Sequence, residues 1–565
     1  MISGGGSNST PTITLPAPMR SDTSSCTPRS AMSTTLTPGS AQGEDAAHAN
    51  VVSTTSTIRA GEEAQGTSAS ESGTVQQELP PQDRGWPAWR FVLASCLLDL
   101  FVSSVQKASQ EGVQSVADHP TPLQIWGGTF AYGTWLEYYL SHPPFQNESP
   151  VSLGAVGTVA LALNYAETLI GIILCGKYPH HIRKGLWACL VVYSGSLLFA
   201  SFARQGLIRH ILRQLWTLML FQGVLAGSAG GLLYAPIYVW LSQWFQARRA
   251  LAGGTIFAGA GVGGFAFPLI LNALLPPLGF RWTLRLFALI TLIICGLSVH
   301  LLQPRLPIVR PPLKSLPSSS LAPNQLQARQ DHASASKISF SILYDPSFLL
   351  VSGTVLTQGM MFSPILTYLP TYLTSFESPT LASLTLAILN AATIPGLIMT
   401  GHLCDRYPYT WVQAVSTLLA TLSIFLLLQA GDTLSKTLIF ALLIGVSAGG
   451  FASTWFPSSI DVATRTGRKK DASQSAVVFG YLAIVRGVAS IVGPVIAGSV
   501  YKPTRVEGGE RMGKFGLGSF VVLSGTLGVV ALGFVLGNEL YRRWRRGLSM
   551  RREEERVGKE LEELK

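Results

Sequence analysis

Charge is scarce in this chain. Asp, Glu, Lys and Arg make up 13% of its 565 residues, against 47% hydrophobic ones. Soluble domains carry about twice that share of charge, so a string of them is excluded. Cysteines number six. Cys26 lies in a low-complexity stretch, while Cys96, Cys175, Cys189, Cys295 and Cys404 lie in or beside apolar runs. None has metal-ligand spacing and no disulfide framework is implied, so they read as small packing residues. A nucleotide-binding P-loop, a zinc-protease His pair and a nucleophile elbow are all missing. An enzyme is therefore not expected, no cofactor or metal is implied, and energy must come from gradients and not from ATP. There is also no signal-peptide core near Met1, so insertion is expected to rely on the first membrane helix.

What is present is apolar length. Runs near the roughly 20 residues that cross a bilayer recur along the chain. After the first, which begins at Ala88, come Val151–Leu174, Leu186–Phe202, Leu215–Leu241, Ala250–Leu275 and Trp282–Leu302. A second set comprises Phe348–Leu373, Leu381–Leu403, Trp411–Ala430, Thr437–Phe456, Ser475–Val500 and Phe515–Leu540. The fold class expected is an all-α polytopic membrane protein, twelve transmembrane helices in two six-helix halves, 83–302 and 341–540. Residues 1–82, rich in Ser, Thr, Gly and Pro, read as a disordered tail, and 303–340 as a polar linker. Residues 541–565 read as a basic tail. The net charge of +11 does not imply nucleic acid, because much of it lies in Tyr541–Arg546 and in short loops. That distribution suits cytoplasmic ends facing anionic lipid and places both termini inside, with the plasma membrane favoured over the vacuolar one.

The first span is interrupted. Gln106–Gln124 is polar and Pro-broken, and a second apolar run follows to Leu140. Joining Val102 to Ile125 would give one helix of ordinary length. Residues 103–124 therefore read either as an insertion foreign to the fold, such as a retained intron, or as a genuine surface insertion or broken helix.

The stretch Trp244–Pro268 identifies the chain most closely. An aromatic pair and two arginines, Arg248 and Arg249, lead into an uncharged run with Gly253, Gly254, Gly259, Gly261, Gly263 and Gly264. In a bilayer such a run stays helical, and its small residues let neighbouring helices approach closely. Together with Asp83-Arg-Gly85-Trp86 before the first helix, it resembles the signatures of monocarboxylate porters of the major facilitator superfamily, in their fungal branch. Trp244, Phe245, Arg248, Arg249, Leu251, Ala252, Gly254, Ala258, Gly259 and Gly263 fall in register, with Ala247 in place of a lysine. The superfamily's loop motif stands in the second half as Gly401-His-Leu-Cys-Asp405-Arg406. There an aspartate at a helix N-terminus can latch two helices in one state. The first half reads Gly176–Arg183 without the aspartate, a basic turn.

The resemblance implies gating or structural roles for Asp83, Gly85, Trp86, Arg248, Arg249, Gly254, Gly259, Asp405 and Arg406. It also implies a cavity lined by helices one, four, seven and ten, with Tyr132, Trp135, Gln222, Tyr234, Gln358, Tyr368 and Trp455 as candidates. Polar-tipped aromatics of this kind suit organic substrates. Lactate carriers of the family use a first-helix lysine and an Asp-x-x-x-Arg pair in the eighth helix. Here Asn390 and Ile394 occupy those eighth-helix positions, so a lactate mechanism of that type is not expected.

Few ionisable residues remain in the spans. Glu167, three residues beyond Asn164 and so on the same face, reads either as a proton-carrying carboxylate or as a helix–helix hydrogen-bond partner. Arg486 attracts an anionic substrate or bonds to carbonyls. Arg90 is expected to snorkel to the surface, and Asp99, nine residues on, does not share its face. The reading is a secondary active or facilitative transporter of small organic acids or related metabolites, moving them by proton symport, facilitated diffusion or export, with the bilayer as solvent. An exporter of a secondary metabolite or toxin and a non-transporting nutrient sensor are the alternatives.

Overall fold

The computed structural model describes residues 80–107, 150–202, 214–306, 340–373, 376–428, 433–465, 472–500 and 517–563. Among them the regular structure is helical throughout. Eleven helices are long and apolar enough to cross a membrane. A further helix, α1 (Trp86–Lys107), packs against the helical path Arg249–Leu301.

The first half continues with α2 (Pro150–Lys177), α3 (Ile182–Ala200), α4 (Trp216–Trp244), α5 (Arg249–Leu271) and α6 (Ala273–Leu301). The second comprises α7 (Pro346–Leu373), α8 (Pro379–Arg406), α9 (Tyr409–Leu428), α10 (Leu434–Arg465), α11 (Ala472–Val500) and α12 (Gly518–Glu563). The second part of the interrupted first span, with Tyr132 and Trp135, lies in 108–149, outside the described residues. So do most of the N-terminal tail and of the linker.

Two features depart from plain helices. The helical path from Arg249 to Leu301 is continuous and bends at Gly279, whose φ of 68° and ψ of 167° only glycine adopts without strain. In α10 a π turn (Gly445–Gly449) and a 3-10 turn (Phe451–Thr454) precede the final α-helical piece, Trp455–Arg465. Such irregular turns re-aim side chains in mid-helix, and four of the cavity-lining residues come from this part of α10.

Residues 541–563 are helical and continue α12. Arg543 pairs with Glu539 at i,i+4, with nitrogen and oxygen 2.9 Å apart, and the Arg, Glu, Lys and Leu that follow are all good helix formers. At this end Asp461 of α10 accepts from Tyr409 of α9 at 2.7 Å and pairs with Arg465 at 2.8 Å and Arg542 of α12 at 3.3 Å.

The halves meet along two seams. α5 packs between α1 and α8, and α2 packs against α4 and α11. Glycine sets the spacing of the first seam. A Cβ on Gly254 would strike the Leu397 carbonyl oxygen of α8 and lie 2.7 Å from the Ser453 hydroxyl oxygen of α10. One on Gly401 would lie 2.5 Å from the Ala250 carbonyl oxygen. Gly259 instead faces α1, where its missing Cβ makes room for the Cys96 carbonyl. The glycine-rich stretch thus serves two partners, α1 within its own half and α8 and α10 across the seam.

Candidate functional site

Between the halves lies a cavity of about 150 Å³. From the first half, α2 presents Leu161, Asn164, Tyr165 and Thr168, a stripe at i, i+3, i+4 and i+7. α4 adds Tyr234 and Tyr238, α5 adds Phe257, Ala260 and Gly261, and α1 adds Asp99. From the second half come Gln358, Phe362 and Ser363 of α7, Asn390 and Thr393 of α8, Trp455 of α10, and Phe479, Arg486 and Ser490 of α11. Eight helices therefore line it, not only the four that were expected.

Two charged side chains belong to the described lining. Arg486 donates to the Gln358 side-chain oxygen at 2.9 Å and also bonds the Tyr165 hydroxyl. Its space is made by Gly359, where a Cβ would lie 2.9 Å from a guanidinium nitrogen and 2.6 Å from the Ala489 methyl. Gly487, the next residue in α11, leaves room for Tyr165, so α2 and α11 approach closely there. A Gly359→Ala substitution should push the guanidinium off Gln358 and weaken binding of an anionic probe about tenfold. Equal binding by the variant would show that this room is not needed. Asp99 faces the cavity from α1 and is only 2% exposed. Its carboxylate accepts from the Tyr234 hydroxyl and from the Ala260 amide, the latter at 2.8 Å.

Toward the end of the molecule that carries Arg249 and Arg465, rings close the cavity. Tyr238, Phe257, Trp455, Phe456 and Phe479 form one cluster, with centroids as near as 4.3 Å for Tyr238 and Phe479. Beyond the rings, carboxylates from both halves converge on the start of α5. Asp83 accepts from the amides of Gln246, Ala247 and Arg248 at 3.0, 3.2 and 2.9 Å. Asp405 accepts from those of Ala250 and Leu251, both at 2.9 Å. Those of Arg248, Ala250 and Leu251 are amides a helix start leaves without intrahelical partners, and the helix dipole favours negative charge there. The Asp405 bonds cross between the halves. So does the bond from Arg249 to the Ser475 hydroxyl of α11, at 3.0 Å.

A model of the Major Facilitator Superfamily matches residues 125–494. The chain belongs to that superfamily. Relatives in it include the aspyridones efflux protein apdF of Emericella nidulans, 27% identical over 378 residues that cover 66% of this chain and 68% of that protein. The MFS-type transporter pynF of Aspergillus niger is 27% identical over 391 residues, 68% of this chain and 77% of that protein. An MFS-type transporter of Gibberella zeae is 24% identical over 463 residues, covering 80% and 88%. Among solved structures, the human organic anion transporter MFSD10 (TETRAN) shares the fold, with a TM-score of 0.51 and 18% identity, over 80% of this chain and 100% of that one. The protein is a major facilitator transporter.

In this major facilitator frame the candidate residues separate. Tyr234, Gln358, Asn390, Trp455 and Arg486 line the cavity. Gln222 does not; it is buried in the π turn of α4, Met219–Leu225. Tyr368 does not either, for its hydroxyl donates to the Pro494 carbonyl at 3.1 Å and ties α7 to α11. Glu167 shares the general side of Asn164, but at i+3 it turns toward α4, where its Cβ sits against Gly231. Asn164 and Thr168, one full turn apart, face the cavity instead. Of the motif residues, Gly85 has a φ of 87°, Trp86 is 70% exposed, and Arg248 and Arg406 are exposed. The residues not foreseen are Asp99, Tyr165, Tyr238 and the phenylalanines. Tyr234 and Tyr238 at i,i+4 were the available signal for an aromatic face on α4.

Proposed function

We propose that this transporter carries a small organic acid anion through the central cavity by alternating access, as the resemblance to monocarboxylate porters suggests. The observation that carries the reading is Arg486. A guanidinium in the cavity lining, oriented by Gln358 and with space made by Gly359, is suited to a carboxylate or another oxyanion. The tyrosine, phenylalanine and tryptophan rings around it suit a flat or apolar body attached to that anion. The cavity is smaller than the roughly 300–1,000 Å³ usual for drug-sized ligands, which fits a state closed around a small solute.

The basic end is the cytoplasmic one in this reading, because α12 continues there into a run of arginines. The latch on α5 and the ring cluster then shut the cytoplasmic side, and rocking of the halves opens it. Export is the working direction, for which the efflux protein among the relatives speaks. The plasma membrane is the membrane that direction favours.

The test is exchange by the purified full chain in liposomes. Labelled 4-hydroxybenzoate and benzenesulfonate serve as probes, with unlabelled probe inside and protein-free liposomes as the baseline. Exchange above that baseline for at least one probe supports the reading, and none for either contradicts it.

A further inference from the structure

We propose that the outer face of α8, α9 and α10 binds an anionic phospholipid of the surrounding bilayer. One acyl chain fills a groove there, and Arg406 and Arg543 hold the phosphate at its mouth. The site is independent of what the transporter carries.

The groove follows from helical spacing. On α9, Trp411, Val415 and Leu419 recur at i, i+4 and i+8, and on α8, Met399, Leu403 and Tyr407 do the same. Between the two stripes the floor is made of small residues, Ser416 and, in the π turn of α10, Ser447. The Ser416 hydroxyl donates to the Ser447 carbonyl at 2.8 Å, so this polar contact is satisfied within the floor. The opening measures about 370 Å³, larger than the central cavity of about 150 Å³. Met399, Val415 and Leu419 are half exposed or a little more. In a bilayer an apolar groove open to the side is filled by hydrocarbon, since water there would find too few partners.

Its depth suits one leaflet. Trp411 to Leu419 covers about 12 Å of helix at 1.5 Å per residue. A single leaflet contributes half of the roughly 30 Å hydrocarbon core. The mouth lies where α8 stops and α9 starts, at the basic end of the molecule.

Charge at the mouth supplies the second argument. Arg406 follows Leu403 at i+3 and Met399 at i+7, so it continues their stripe, and it is exposed. From α12, the Arg543 guanidinium lies 5.9 Å from the centre of the Trp411 ring. The nearby carboxylates do not cancel this charge. Asp405 accepts from the α5 amides, and Asp461 takes up Arg542 and Arg465. Glu539 is shared by Arg543 at 2.9 Å and Arg546 at 3.8 Å, so positive charge is left over. Guanidiniums match the geometry of a phosphate, and the exposed Tyr407 and Trp411 rings suit the headgroup level.

That charge selects the occupant. A sterol hydroxyl would leave two guanidiniums without a counter-ion. A second copy of the chain, related by an axis along the membrane normal, would bring the same basic mouth against itself. An anionic phospholipid satisfies the apolar groove and the basic mouth together.

The experiment reads Trp411 itself. The full chain is placed in phosphatidylcholine bilayers that contain a second lipid brominated on one acyl chain. That lipid is phosphatidylserine or, at the same mole fraction, phosphatidylcholine. Bromine quenches tryptophan on contact, and the Trp411 share of the emission is isolated by pairing each protein with its own Trp411→Phe version. Wild type should bind the serine lipid about tenfold more tightly than the choline lipid, as expected of two surface arginines when one is shared with a carboxylate. The preference should vanish when Arg406→Gln and Arg543→Gln are combined. Val415→Phe fills the groove from an exposed position and leaves both arginines in place; it should lower quenching by the serine lipid to the choline level. Arg285→Gln, at the opposite end of the molecule, should keep the full preference. Equal quenching by the two lipids in wild type overturns the proposal, and so does relief of the serine-lipid quenching by cholesterol but not by unbrominated phosphatidylserine. Absence of Trp411 quenching by either lipid would mean that protein covers the groove, which overturns it as well.

Discussion

A Gly254→Val variant is expected to reach the membrane folded and to transport nothing. The site has no room on the closed seam, since even one added carbon would meet the Leu397 carbonyl oxygen and crowd the Ser453 hydroxyl. The first of these is main chain and cannot swing aside. Overpacking of this kind costs about 3 kcal/mol. Because α5 and α8 belong to opposite halves, that cost falls on the state in which the seam is closed and is absent once it opens. A two-state equilibrium should then shift by more than about a hundredfold toward the form open at the latched end. Exchange falls with it, because a carrier held on one side completes no cycle. The check is thiol labelling at Ser475→Cys in a cysteine-free background. Ser475 is buried in the closed form, where Arg249 bonds to it. Labelling by a polar reagent should be slow while Gly254 is kept and fast once the Gly254→Val substitution is added. Slow labelling in both would mean that the seam does not govern access.

The second large effect is expected at Arg486. Replacing it by Gln removes the one cation among the described cavity-lining residues and the donor that Gln358 and Tyr165 accept from. Removing one partner of a desolvated charged contact costs about 3 kcal/mol, near a hundredfold in affinity for an anion. The loss should be selective. A neutral analogue such as 4-hydroxybenzamide should bind the variant as well as it binds wild type, whereas 4-hydroxybenzoate should not. Parallel losses for both would point to a collapsed cavity and not to a missing charge. Arg486→Lys should recover only part of the affinity, because an ammonium lacks the planar fork that engages a carboxylate on two bonds.

Much of this arrangement was legible in the residues. Apolar length announced the helices, and their edges fall within a few residues for most spans because polar and Pro-containing turns bound them. The α5 glycines announced close packing, and Asp405 announced a helix-start latch, since both are local chemistry. Arg486 stood out because a charge in an apolar run has few other uses. What the sequence could not supply was rotation and pairing. Glu167 and Asn164 look equivalent by spacing, yet a small difference in rotation turns one toward α4 and the other into the cavity. Asp99 looked isolated because its partners, Tyr234 and Ala260, are 135 and 161 residues away. Tyr368 and Gln222 have the composition of cavity residues, but the first is held by the Pro494 carbonyl and the second lies in a π turn that a helical wheel does not anticipate.

The most direct measurement is exchange of labelled 4-hydroxybenzoate by the full chain in liposomes, run side by side for wild type and Arg486→Gln at matched protein content. The account predicts rapid exchange in wild type that excess benzenesulfonate inhibits, and exchange slowed by about a hundredfold in the variant. No exchange by folded wild type, or equal exchange by the two, would contradict it.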